Sequence, residues 1–361
     1  MCVGAPRGAR ARPARPFLAD SRAGCGGIRR SVAAAIEAGR QFGRLRDATC
    51  PGRLTTAQAE ALRLSPDSPT LDEGPGWFAS ALAVAPERGT CEVSGTAIET
   101  LAWGERGKPG LLFLHGNGGH ADWWRFIAPF FASDWRVGAI SWSGMGRSGW
   151  RKSYPPEVHL AELLAGAEAT GLFEGTVRPS IVAHSFGSAI ALKVAANPDG
   201  ARFGRLIVAD NGARPPREDP FDNRKPWTNP GYTSLDEGAA RFRLRPEQRC
   251  DNDYLLAFIA RRSLVLRDDR WHWCFDPDAD RSRGVPFSGH SGDVIAAAQC
   301  PLDFLWGDRS SLVPDEVMAA TRAVAPPGTR FVTIPDAGHH LMLDQPLAFV
   351  TAVRALLGAG G

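Results

Sequence analysis

Ile181-Val-Ala-His-Ser185-Phe-Gly-Ser-Ala-Ile190 is the stretch on which the reading of this chain turns. An apolar, partly β-branched run ends at His184-Ser185, and a helical pattern of small residues begins at once with Gly187 and Ser188. A strand that becomes a helix with no loop between them forces one residue into a strained conformation at the corner. If that residue is Ser185, its hydroxyl projects from the edge of a sheet. Ala183 and Gly187, two residues before and two after, are small enough to let backbone pass close to backbone. The pattern is usually written G-x-S-x-G, and here alanine replaces its first glycine. The bland alternative is a buried strand running into a helix that happens to hold a serine, and the remainder of the chain decides between the two.

The flanking sequence alternates strand and helix with short joints. Cys91-Glu-Val93 and Ala97 to Trp103 read as a hairpin around Ser94-Gly95. Leu111-Leu-Phe-Leu114 suits a central parallel strand and ends in His115-Gly-Asn-Gly-Gly119, with a helical pattern through Trp123, Trp124, Phe126 and Ile127. Arg136 to Trp142 is the next strand, then a helix from about Pro156 to Leu172, the Ser185 strand with its helix, and the strand Arg205 to Asp210. After Asn211 the alternation breaks for a segment with prolines, many charges, two expected helices (234–242 and 252–265) and the cluster Trp271-His-Trp273-Cys-Phe275. It resumes with Leu302 to Trp306, the helix 314–324, the strand Arg330 to Ile334, Ala337-Gly-His-His340 and a closing helix. Such βαβ units give an α/β fold with a mostly parallel central sheet flanked by helices. The expected organisation is an extension over 1–75, a core over 76–211 and 297–361, and an inserted helical lid over 212–296.

Composition excludes several function classes. Twelve arginines against seven carboxylates place +5 in residues 1–75, so the formal net charge of +3 leaves −2 for the rest. A near-neutral body gives no support to nucleic-acid binding. No apolar run approaches the roughly 20 residues that span a bilayer. Seven scattered cysteines without a C-x-x-C pair suggest neither a disulfide framework nor a metal site, and reduced thiols fit a cytoplasmic protein. Residues 1–75, rich in Arg, Ala, Gly and Pro, lack a signal-like apolar core and are expected to be a disordered extension or a start assigned too far upstream.

Nucleophilic catalysis by serine needs a hydroxyl, a base to take its proton and a carboxylate to orient the base. Ser185 supplies the first. His339, directly after Gly338 in the loop past the last strand, is preferred as base over His340. The acid is Asp210 at the end of the strand after the corner, or Asp308 after Gly307. Backbone N–H groups of Asn117 and Phe186 stand where an oxyanion hole would need them. Gly116 and His184 beside the corner, and the aromatic residues Trp227, Trp271 and Trp273, are candidate substrate contacts. Gly144-Met-Gly146-Arg-Ser-Gly149 satisfies the dinucleotide pattern G-x-G-x-x-G. Tyr154-Pro-Pro156 interrupts the helix that should follow, and no acidic residue ends the next strand, so no cofactor is expected.

Taken together, His115-Gly116, Gly144-x-Gly146-x-Ser148, Ala183-His-Ser185-Phe-Gly187 and Gly338-His339 resemble, in their order, the loops of the α/β-hydrolase superfamily from about residue 77 onward. The similarity is to its lid-containing branch of serine esterases and lipases, carbon–carbon hydrolases, epoxide hydrolases and haloalkane dehalogenases. The last two groups use an aspartate nucleophile, which Ser185 argues against. The usual acid position of the family falls here on Ser310. The resemblance implies a serine hydrolase acting on a small apolar ester or related acyl compound. The alternatives are a carbon–carbon hydrolase with the same triad and a non-catalytic member that keeps its pocket for a ligand.

Overall fold

The computed structural model describes residues 74–214, 229, 231–279 and 292–358. The expected disorder of 1–75 therefore falls, but for its last two residues, outside the described residues, as does Trp227. Ten strands are described: β1 (Glu87–Val93), β2 (Thr96–Trp103), β3 (Gly110–Leu114), β4 (Arg136–Ile140), β5 (Ser180–His184), β6 (Arg205–Ala209), β7 (Leu264–Arg267), β8 (Arg270–Trp273), β9 (Leu302–Gly307) and β10 (Arg330–Ile334). Eight of them make one sheet in the order β1-β2-β4-β3-β5-β6-β9-β10. The first two pairings, β1 with β2 and β2 with β4, are antiparallel, and every later pairing is parallel.

Period-two side-chain alternation explains why the central strands read as unbroken apolar runs. Leu111, Phe113, Val182, Ile207 and Leu305 enter the core on one face of the sheet. Leu112, Leu114, Ile181, Ala183, Leu206, Val208 and Phe304 enter the core on the other. The first face is covered by the helices Gly76–Ala83, Asp253–Arg262 and Pro346–Gly358, the second by Pro156–Ala169, Phe186–Ala195 and Asp315–Val324.

Register is what matters for function. His184 at the end of β5 pairs with Ala209 at the end of β6, so Ser185 and Asp210 leave adjacent strands at the same level. Ala209 in turn pairs with Leu305 of β9, two residues before Gly307. Ligand sites of such sheets lie beyond the carboxyl ends of the strands, which is where these residues emerge.

Two expectations change in detail. The region after Ala121 forms two short 3₁₀ turns, Ala121–Trp124 and Ala128–Phe131, the second opened by Pro129, rather than one helix. In the segment between β6 and β9, the helix expected over 252–265 stops at Arg262 and gives way to the hairpin β7–β8. Its turn residues Asp268 and Asp269 both have positive φ (47° and 57°), the geometry of the tight turn that matches strand twist. The β-branched Val265 and the aromatic residues Trp271 and Trp273 accordingly end up extended, not helical. This segment meets the core through Asp276, whose N–H donates to the Gly144 carbonyl (2.7 Å) and whose carboxylate accepts from the Tyr154 hydroxyl (2.6 Å).

Candidate active site

Ser185 sits at the corner with φ 51° and ψ −114°, a backbone that L-residues rarely adopt. The corner is held by its N–H donating to the Ala209 carbonyl (3.0 Å) and by the amide of Asn211 donating to the Ser185 carbonyl (3.0 Å). Gly187 has to be glycine: a Cβ there would lie 2.7 Å from the His115 carbonyl oxygen and 3.0 Å from Leu114. The alanine at 183 is tolerated because its side chain is fully buried in the core beneath the corner.

One hydrogen-bonded line runs from this serine. His339 Nε2 is 2.9 Å from Ser185 Oγ, and His339 Nδ1 is 2.6 Å from Asp210 Oδ2. A carboxylate can only accept, so Nδ1 carries the proton and Nε2 offers a lone pair to the serine hydroxyl. That is the tautomer a general base requires. Asp210 is buried and, like Ser185, sits at positive φ (52°) immediately beyond its strand. Of the two candidate acids, Asp210 is the one beside His339. Asp308 is exposed and spends its Oδ1 on the Ala337 N–H at 3.2 Å. Ser310, at the family's usual acid position, turns its buried hydroxyl to Asp210 and donates to Oδ2 at 2.5 Å. The Gly307 N–H approaches the other oxygen at 3.3 Å.

The loop bearing His339 is clamped from both sides. Asp344 accepts from the Gly338 N–H (2.7 Å) and from Gln248 Nε2 (2.7 Å), while Gln248 Oε1 accepts from the His340 N–H (3.1 Å). His184, expected to touch substrate, instead donates from Nε2 to the His339 carbonyl at 2.8 Å. It is buried and uncharged, its imidazole held well below its ordinary pKa by burial first and then by neighbouring His339 and His340. The His340 ring packs on Trp123 (5.5 Å) and His184 (5.4 Å), and it is His339 that is bonded to the serine.

On the far side, a Cβ at Gly116 would lie 3.2 Å from Ser185 Cβ, so this loop runs against the serine. The Gly116 carbonyl is held by His115 Nδ1 (2.7 Å) and the Gly119 N–H (3.1 Å). In a trans peptide the following N–H, that of Asn117, points the opposite way. His115 is itself fixed as Nε2 accepts from the Trp142 N–H at 3.1 Å, and burial pushes its pKa down to about 3. Phe186 opens the helix after Ser185, so its N–H is directed out from the helix N-terminus. Trp273 donates to the Tyr232 hydroxyl (3.1 Å) and packs on Phe242, and the backbone of Trp271 pairs with Tyr232. These partners belong to the inserted segment. Sequence reasoning had no signal for the roles of Ser310 and Gln248, since both depend on which strand ends and loops become neighbours.

The model of the alpha/beta hydrolase family matches residues 111–353. Among curated proteins the chain is 27% identical over 288 residues to the esterase Rv0045c of Mycobacterium tuberculosis, covering 73% of this chain and 88% of the esterase. It is 25% identical over 318 residues to the dihydrolipoyllysine-residue acetyltransferase component of the acetoin cleaving system of Cupriavidus necator, covering 85% and 77% of the two chains. Among solved structures, the thioesterase domain from the curacin biosynthetic pathway superposes with a TM-score of 0.63 at 20% identity, covering 75% of this chain and 99% of that domain. This last likeness is one of fold. Among the described residues no helix is long and apolar enough to cross a membrane.

Proposed function

The chain belongs to the alpha/beta hydrolase family, and from that premise we propose that it is a serine hydrolase cleaving a carboxylic ester or related acyl bond through an acyl-enzyme. Ser185 Oγ attacks the carbonyl carbon while His339 Nε2 takes its proton. The oxyanion that forms is held by the N–H groups of Asn117 and Phe186. His339 then returns the proton to the leaving alcohol. Water repeats the sequence: His339 removes a proton from it, the hydroxide adds to the acyl carbon, and Ser185 leaves with the proton returned. Asp210 holds the imidazole through Nδ1 and stabilises the imidazolium. Residues 212–296 act as the lid over this site, and the N–H of Asp276 on Gly144 is one of its attachments.

The observation that carries this reading is the unbroken line Ser185 Oγ, His339, Asp210 at 2.9 and 2.6 Å. The esterase similarity, at 27% identity over most of both chains, supports an acyl substrate. Fluorophosphonate labelling with mass mapping tests it. The expected adduct is on Ser185 and is lost in His339→Ala. A folded protein that takes no label at Ser185 would remove the proposal.

A further inference from the structure

A second set of polar groups lies beside the Asn117 loop, and its charges do not balance. Asp122, in the short turn Ala121–Trp124, is buried and paired with Arg88 Nη2 at 2.6 Å, with Arg125 Nη1 at 3.9 Å. Arg88 also pairs with buried Glu99 at 3.1 Å. Glu99 is completed by the Ser141 hydroxyl (2.7 Å) and the Arg147 N–H (3.1 Å). Arg262, at the end of the helix Asp253–Arg262, is the third guanidinium near Asp122. It is only 8% exposed, stands outside ion-pair distance of any described carboxylate, and its Nη1 has no hydrogen-bond partner. Among the described residues the guanidiniums of Arg88, Arg125 and Arg262, with that of half-buried Arg147 acting on the same groups, thus face two carboxylates, and positive charge is in excess.

The remaining orphans around the same turn are donors too. Arg125 Nε and the indole Nε1 groups of Trp123 and Trp124 are buried without acceptors. His120 does not balance the charge: its Nε2 donates to Ser263 Oγ at 3.0 Å, since that hydroxyl gives its own proton to the Ile259 carbonyl, and burial pushes the imidazole down to about 3. Burial likewise pushes Arg262 down to about 10, against the pull of Asp122. An unpaired charge is costly to bury, and the orphaned donors Arg262 Nη1, Arg125 Nε and the Nε1 groups of Trp123 and Trp124 outnumber the single acceptor nitrogen that neutral His340 presents beside Trp123, an excess that calls for an anion rather than an apolar group.

We propose that Arg262, with Arg125 and Trp123 as neighbouring donors, forms a subsite for the carboxylate of an acidic substrate whose acyl bond is presented to Ser185. The link to Ser185 is spatial. His120, bonded to the residue after Arg262, follows Asn117 by three residues, within about 11 Å of extended chain. Trp123 packs on His340, the neighbour of His339. The subsite rests on Ser185 being the nucleophile, and deepens that reading to half-esters or half-thioesters of dicarboxylic acids.

The experiment compares kcat/KM for 4-nitrophenyl half-esters of succinate through suberate with that for the same esters capped as neutral methyl esters. The proteins are the full chain, Arg262→Gln and Arg262→Lys. At the best-fitting length the intact protein should prefer the anionic ester, and Arg262→Gln should lose that preference by about tenfold to a hundredfold, mainly in KM. Arg262→Lys should keep part of it. No preference at any length in the intact protein, or an equal preference in Arg262→Gln, overturns the subsite. If no ester is turned over and Ser185 takes no label, the hydrolase reading fails instead. The subsite is then judged by suberate, which must raise the melting temperature of the intact protein and not of Arg262→Gln.

Discussion

Ser310 shows how much one residue can conceal. At the usual acid position of the family it looks like a missing catalytic group, yet its hydroxyl completes the acid that came from the next strand. Asp210→Asn should lower kcat by about 10⁴-fold, the loss when a triad histidine is left in the wrong tautomer. Asp308→Asn should change it less than about threefold, because Asp308 serves only the Ala337 N–H; steady-state rates on one ester decide between them. Ser310→Ala should be intermediate, costing about 1–2 kcal/mol of stability in urea titrations while Asp210 keeps His339. Ser185 was legible because it stands directly past an apolar strand with small residues two positions to either side, and His339 because it follows Gly338 in the loop after the last strand. The acid was not, because two strand ends offered a carboxylate and only the β6–β9 register tells which one faces the histidine. Arg262 was illegible for a different reason: an arginine ending a helix reads as solvent-facing, and its burial comes from distant segments.

At the scale of elements, the strand-to-helix corner and the attachment of the inserted segment are the points to probe. Gly187→Ala places a methyl 2.7 Å from a backbone oxygen that has nowhere to go. It should abolish labelling of Ser185 or folding itself, whereas Ala183→Gly should leave labelling intact. Tyr154→Phe removes the hydroxyl that donates to Asp276 and accepts from the Arg151 N–H. The expected result is faster hydrogen exchange at the Asp276 amide, with the exchange of β5 and β6 unchanged. Sequence patterning found the central strands because β3, β4, β5, β6 and β9 are buried on both faces and bounded by turns. It missed β7–β8 because the run after the helix is apolar enough to continue it, and the turn signal Asp268-Asp269 is weaker than an Asn-Gly pair.

The molecule as a whole carries several neutral imidazoles in its interior. His115 and His120 have pKa values pushed down to about 3 by burial, against 6.5 in the open, and His184 and His340 move the same way for the same cause. Between those values the unfolded chain takes up protons that the folded chain refuses, so acid favours unfolding. The stability these groups contribute is present above pH 6.5 and is lost as pH falls towards 3, at about 1.4 kcal/mol per pH unit for each. Urea midpoints should therefore drop steeply between pH 7 and pH 5, and a flat profile would contradict the assignment of neutral buried histidines. The arrangement of the sheet has a further consequence. β6 and β9 are parallel neighbours, so the polypeptide leaves at the carboxyl end of β6, opposite Leu305, and returns at the amino end of β9, opposite Leu206, with both of its ends anchored in one sheet. Evolution can exchange everything in that excursion, as one exchanges a tool on a fixed shank, without the two anchoring strands having to shift. New substrates can thus be acquired by replacing a single contiguous gene segment, while Ser185 and Asp210, encoded ahead of it, and His339, encoded after it, stay where they are.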